Sequence, residues 1–363
     1  MSSLSMIKNI QYLRFLAAAL VVFAHSNLQI YGVGPQLTNL GGFGVDIFFV
    51  VSGFIMPYII FGGLYREGVS AKMGAAGFLW RRITRIWPMY FLTIVMVLFI
   101  SYLVSTGAIP NVTADLAYIF NGSKIEPAWI FQTLTFSHWD RPPILGIGWT
   151  LQVEFLFYAA IAFALAASAK TLEGIEAILI AFFFTALIMS PSSPIASAFS
   201  NAMVIEFLLG FFLYRTVSRG LLIQKHIAMI LVVITIPAVL LIEHTGAIKL
   251  QGNLYRPIAW GVPAFFLTWA ALSLESYTPK IPTLELLGDA SYSLYLTHGF
   301  VSPVFVYLLV STGIASALSW WFYLPLYLIV CQLIGLAAHL YIEKPLNRYI
   351  RNLVRVEKKC ATA

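Results

Sequence analysis

The chain has 363 residues, 60% of them hydrophobic and only 10% charged, against roughly 25% charged in an ordinary soluble domain. Its mean hydropathy is +0.85; apolar side chains on that scale exceed what one core absorbs, which excludes a water-soluble globular protein and leaves lipid as the solvent. A net charge of +7 does not mark a nucleic-acid binder, because the Lys and Arg residues fall in short clusters between apolar runs.

A helix needs about 20 mostly apolar residues to cross a bilayer, and only structures that satisfy their own backbone hydrogen bonds can do so. Ten segments meet this requirement, so the expected fold class is all-α, a polytopic membrane protein with a bundle of about ten transmembrane helices. They run approximately from Ile10 to Ile30, Phe43 to Tyr65, Ile86 to Ser105, Ile147 to Ala167, Ile175 to Ser190, Ala202 to Val217, Ile227 to Glu243, Pro257 to Leu274, Tyr292 to Thr312 and Leu318 to Ile342. The first is expected to be a retained helix and not a cleaved signal, since Arg14 interrupts its apolar stretch and many spans follow.

Loop charges orient the bundle. With a cytoplasmic N-terminus, the inner side holds Lys8, then Arg66, Lys72, Arg81, Arg82 and Arg85, then Lys170, Arg215, Arg219, Lys225 and Lys280, and the basic C-terminal tail. Lys124, Arg141, Lys249 and Arg256 fall outside. Both termini are therefore expected in the cytoplasm, with a membrane domain over 1–345 and a basic tail over 346–363. The longest loop, from about Thr106 to Gly146, lies outside and carries Tyr118, Trp129, His138, Trp139, Asp140 and Arg141. Its aromatics suit either sugar rings or the membrane surface. Asn111 and Asn121 match the glycosylation pattern, with nothing else to suggest a eukaryotic secretory setting. Cys331 and Cys360 have no metal or disulfide spacing, and no metal is expected.

Charged and polar groups inside apolar spans are costly and mark function by default. Arg14 and His25 stand eleven residues apart on the first helix, about three turns, which points both to one face, Arg14 toward the cytoplasm and His25 toward the outside. Asp46 opens the second helix and Glu154 lies about two turns inside the fourth, both descending from outside. An imidazole beside a carboxylate is the makeup of a general base, with the carboxylate fixing the tautomer, and either Asp46 or Glu154 could serve. Toward the cytoplasm, Arg82 and Arg85 share a helical face with guanidiniums suited to phosphate. A polyphosphorylated donor such as coenzyme A would fit them. His298 is expected about two turns in from the cytoplasm, in a hydrogen-bonded role or lining the donor path, and is grouped with the donor-binding residues. Gly53 reads as a helix-packing glycine. Ser52 reads as no nucleophile, because no base is expected at its depth.

The pieces resemble the integral-membrane acyltransferase 3 family, and within it the exopolysaccharide and lipopolysaccharide O-acetyltransferases. They are Arg14 with His25; Gly-Gly-Phe-Gly-Val-Asp-Ile-Phe-Phe-Val-Val-Ser-Gly-Phe from Gly41 to Phe54; Arg82-Ile83-Thr84-Arg85; Trp149 to Glu154; Ser291 to His298; and a terminal Glu343-Lys344-Pro345-Leu346. The resemblance spans nearly the whole chain. It implies transfer of an acyl group, most simply acetyl, from cytoplasmic acetyl-CoA or another acyl-CoA, with His25 carrying the chemistry and Arg14, Arg82 and Arg85 holding the donor.

The expected protein is thus a membrane O-acyltransferase of the bacterial inner membrane, whose partners are acyl-CoA, a carbohydrate acceptor (a polysaccharide or a lipid-linked oligosaccharide) and membrane lipid, with no nucleic acid. The alternative is a secondary transporter exporting an acidic or amphipathic solute, although the second half repeats none of the motifs of the first. A non-catalytic scaffold would explain the hydrophobicity but not Arg14, His25, Asp46 and Glu154 together.

Overall fold

A computed structural model describes residues 7–109, 126–137, 141–167, 169–188, 201–245 and 254–360. Tyr118, His138, Trp139, Asp140 and the motifs at Asn111 and Asn121 lie outside these. Among the described residues all regular structure is helical: α1 (Lys8–Ala24), α2 (Phe43–Phe61), α3 (Ala75–Ser105), α4 (Pro127–Leu134), α5 (Trp149–Ala166), α6 (Leu172–Ile188), α7 (Val204–Ser218), α8 (Lys225–Thr245), α9 (Val262–Ser273), α10 (Pro282–Asp289), α11 (Ser291–Ser311), α12 (Trp320–Ala338) and α13 (Lys344–Cys360). Short π-helical turns, Pro257–Gly261 and His339–Glu343, lead into α9 and join α12 to α13.

Among the described residues six stretches are long and apolar enough to cross a membrane: Pro35–Phe61, Ala75–Ser105, Gly146–Ala166, Lys225–His244, Ser291–Ser311 and Trp320–Asn352. The helix over Pro257–Ser273 is apolar but shorter. Lipid as solvent is visible on α8, where Ile230, Val233 and Leu241 are exposed along one element.

The chain folds into two compact units. The first comprises Met1–Ala24, Gly32–Phe78 and Val153–Asp289. Here glycines let backbones approach, since helices in lipid associate by close packing. A Cβ at Gly53 would lie 2.1 Å from the Phe207 carbonyl oxygen, and one at Gly210 would lie 2.1 Å from that of Val50, so α2 and α7 cross through paired notches. Gly53 is therefore a packing residue, as its sequence context suggests. Gly41 and Gly44 admit α1 against α2 in the same way, at Leu20 and Ala17. Phe207 stacks with Phe49 at 4.5 Å and Phe157 at 4.6 Å, filling the space beside the crossing. The first backbone N–H groups of α1 are capped by one carboxylate, Lys8 N and Asn9 N donating to Glu275 at 3.0 and 2.9 Å.

The second unit comprises His25–Tyr31, Leu79–Gln152 and Ala290–Ala363. α11 and α12 pack closely at Gly335, where a Cβ would lie 2.7 Å from Leu294 Cα. Tyr323 and Tyr327 lie parallel on α12, each about one ring away from Phe305 of α11. Tyr292 donates to the Ile86 carbonyl at 2.7 Å and Trp87 to that of Leu134 at 3.1 Å, tying α3 to α11 and α4. Trp129 fits neither the sugar-stacking nor the membrane-surface reading of its loop. It is buried, donates to the Pro142 carbonyl at 3.0 Å and is covered by the Arg141 guanidinium at 4.5 Å, so its ring is committed to the protein's own packing.

Candidate active site

His25 lies one residue beyond the end of α1. The chain turns at Ser26 and Asn27, the latter in the left-handed region at φ +53°, where asparagine is tolerated. Its carbonyls would be orphaned at the helix end, and hydroxyls of the second unit take them up. Ser302 and Tyr327 donate to the His25 carbonyl at 2.8 and 3.1 Å, and Tyr323 donates to that of Ser26 at 2.6 Å. Asn27 in turn donates to Ser302 at 3.1 Å. The backbone that carries His25 is thereby anchored to α11 and α12, while the ring remains half-buried.

The ring meets His298. His25 Nδ1 and His298 Nε2 are 3.2 Å apart, with ring centroids at 5.0 Å. His298 is fully buried, and its Nδ1 lies 3.2 Å from the Leu294 carbonyl oxygen one turn earlier in α11. This corrects the sequence-based depths, which put His25 near the outer face and His298 near the inner one. Counting residues assumed that each helix starts at the membrane surface. No residue count fixes that start level; within the first unit, for example, Gly288 at the end of α10 abuts the Gln11 backbone of α1.

The other expected site residues fall in separate arrangements. Asp46 is fully buried in the first turn of α2 and is gripped by a two-pronged guanidinium: Arg256 Nε donates to Oδ1 at 3.1 Å and Nη2 to Oδ2 at 2.9 Å. The same Nη2 reaches the Gly42 carbonyl at 3.1 Å, and the guanidinium lies 4.8 Å over the Trp260 ring. Trp260 and Tyr255 both donate to Glu243, at 2.8 and 3.0 Å. Sequence reasoning left Arg256 as an outer-loop charge and passed over Glu206, which is fully buried beside Asp46. Neither Glu206 carboxyl oxygen meets a hydrogen-bond donor among the described residues. A lone acid inside the apolar run of α7 was the signal that could have found it.

Glu154 accepts from the Ser52 hydroxyl at 3.2 Å and from the Tyr158 hydroxyl one turn further along α5. Ser52 therefore has a carboxylate at its own depth, contrary to the sequence-based expectation. Arg14 donates to Gln11 at 2.9 Å on its own helix.

Arg82 and Arg85 are not at the entrance of α3 but two to three turns inside it, since the helix begins at Ala75. The first is buried and the second half-buried, three residues apart on one face, whereas Arg81 is exposed. In the same unit the π turn at His339–Glu343 points a carboxylate inward. His339 Nδ1 lies 2.8 Å from Glu343 Oε2, Ser293 donates to that oxygen at 2.6 Å, and Arg85 lies within its electrostatic reach. π turns recur at functional sites, and here each of the two borders a buried acid network.

An acyltransferase-domain family model matches residues 7–338. The chain belongs to the acyltransferase 3 family. It is an acyltransferase with several apolar helices able to span a membrane. It is 28% identical over 317 residues to the exopolysaccharide production protein ExoZ of Rhizobium meliloti (strain 1021), covering 85% of this chain and 90% of that protein. It is 30% identical over 159 residues to nodulation protein 10 of Rhizobium leguminosarum bv. viciae, 41% of this chain and 42% of that one. No solved structure matches it.

Proposed function

We propose that this acyltransferase moves an acyl group, acetyl in the simplest case, from cytoplasmic acyl-CoA to a hydroxyl of an exported or surface polysaccharide or its lipid-linked precursor. The polysaccharide acceptor rests on the similarity to a protein named for exopolysaccharide production over most of both chains. His25 carries the chemistry in this reading, and the observation that supports it most is its placement. The turn beyond the end of α1 that carries it is held by three hydroxyl-to-carbonyl hydrogen bonds, and its ring faces a second imidazole. That degree of fixation suits a general base, which has to be held at hydrogen-bond distance from the proton it takes.

In the proposed reaction the acceptor hydroxyl gives its proton to His25 as its oxygen bonds to the thioester carbonyl carbon. The carbon–sulfur bond then breaks, and the proton passes to the departing thiolate. Capture of the acyl group by His25 itself, followed by transfer, is the two-step variant. Arg14, Arg82 and Arg85 are assigned to the donor phosphates, and Asp46 or Glu154 to carboxylate support of the His25 base.

The same reading puts the protein in the bacterial inner membrane with both termini cytoplasmic and about ten crossings. The six long apolar stretches and the clustering of Lys and Arg on alternate loops support it. A membrane domain over 1–345 and a basic tail over 346–363 complete it. Mass spectrometry of surface glycans from cells with and without the protein tests the reading. One class of acyl ester should disappear on deletion, and an unchanged acyl profile refutes the assignment.

A further inference from the structure

The two histidines are joined by a hydrogen-bond chain with only one consistent direction. The Leu294 carbonyl oxygen can only accept, so His298 Nδ1, 3.2 Å away, carries the hydrogen. In a neutral ring the other nitrogen, Nε2, then bears the lone pair. That lone pair faces His25 Nδ1 at 3.2 Å, so His25 Nδ1 is the donor and the basic lone pair of His25 is on Nε2. Both tautomers follow from one backbone carbonyl.

We infer that His298 is a positioning residue for acyl transfer, holding His25 in the tautomer whose Nε2 is the base. This rests on the proposed role of His25. A carboxylate usually fills such a role; here a buried neutral imidazole does. The placement separates the function from folding, because the backbone of His25 is anchored independently by Ser302 and Tyr327. His298 controls the ring and the hydroxyls control the turn. When Nε2 of His25 takes the proton of the acceptor hydroxyl, the resulting imidazolium keeps its Nδ1–H on His298 Nε2. The proton then leaves from Nε2 to the thiolate sulfur, and His298 neither gains nor loses one.

This role differs from lining the donor path, which would show in donor affinity. The test uses full-length protein in membrane vesicles from the producing cells, which hold their own acceptor, with acetyl-CoA as donor and thiol release as readout. His298→Leu removes the acceptor atom, and kcat should fall about 100-fold or more while KM for acetyl-CoA stays within about twofold. His298→Gln places an amide oxygen where Nε2 stands and should recover at least about tenfold of that loss. In protein labelled with nitrogen-15 at histidine, His25 Nδ1 should carry a bonded proton in the wild type and in His298→Gln, with mixed tautomers in His298→Leu. That spectrum decides the matter even where the leucine variant folds poorly.

A raised KM with intact kcat, a glutamine variant as slow as the leucine one, or a wild-type His25 bare at Nδ1 overturns the inference. Full activity in His25→Ala would instead remove the general-base reading beneath it. An inactive His25→Ala beside a fully active His298→Leu sinks the positioning role alone.

Discussion

His25 and His298 lie 273 positions apart in the chain, and their imidazoles face each other nitrogen to nitrogen at 3.2 Å. One stands on a turn just past a helix end, the other in the wall of α11. The contact joins the last residue of the Arg14–His25 motif to the last of the Ser-Tyr-Ser-Leu-Tyr-Leu-Thr-His motif, two histidines whose sequence positions point to opposite halves of the membrane.

Replacing His25 with Ala should abolish acyl transfer, a loss of at least about 100-fold, while the protein stays folded and inserted. The Ser302, Tyr327 and Tyr323 bonds all go to backbone carbonyls and survive the truncation. Activity of purified variants, read beside their size-exclusion profiles, checks this. A variant with wild-type turnover would show that the base lies elsewhere.

Neutralising Arg82 and Arg85 together should act on donor binding. Two guanidiniums on one face of α3 are expected to hold phosphate, so KM for acetyl-CoA should rise about tenfold or more with a smaller change in kcat. Arg81→Gln serves as the control, since Arg81 is exposed beside them. Unaltered donor affinity in the double variant would reduce both residues to membrane anchors.

Removal of Arg256 strands a fully buried carboxylate. Breaking a buried ion pair from one side costs roughly 3–5 kcal/mol, and the partial exposure of Arg256 puts this case at the lower end. Arg256→Leu should therefore lower the unfolding temperature in detergent. The double change Asp46→Asn with Arg256→Leu should restore part of that loss, because position 46 then carries no charge to strand. Equal melting of the wild type and Arg256→Leu would mean that Asp46 is held some other way.

Gly53→Ala and Gly210→Ala should each destabilise by about 1–3 kcal/mol. The new methyl has a backbone carbonyl 2.1 Å from its place, and a backbone cannot swing aside as a flexible side chain can. Thermal unfolding of both single variants and the pair would show non-additive losses, since the two glycines notch the same crossing. Wild-type stability for either would contradict the close approach of α2 and α7.

A membrane-spanning, all-helical chain was legible in composition and in runs of apolar residues. Hydropathy is a local sum, and a window of some 20 residues carries it without reference to anything distant. Arg14, His25, Asp46, Glu154 and His298 were likewise visible one by one, because a polar group in an apolar run stands out at any depth. Their partners were not visible. Which nitrogen meets which oxygen depends on helix rotation and start level to within an ångström or two. Within the first unit the notches at Gly41, Gly44, Gly53 and Gly210 set those quantities, and within the second the close approach at Gly335 does. Only the packed structure could give Asp46 to Arg256, Glu154 to Ser52 and Tyr158, and His25 to His298, because such pairings are relations between segments and appear in no single stretch of chain.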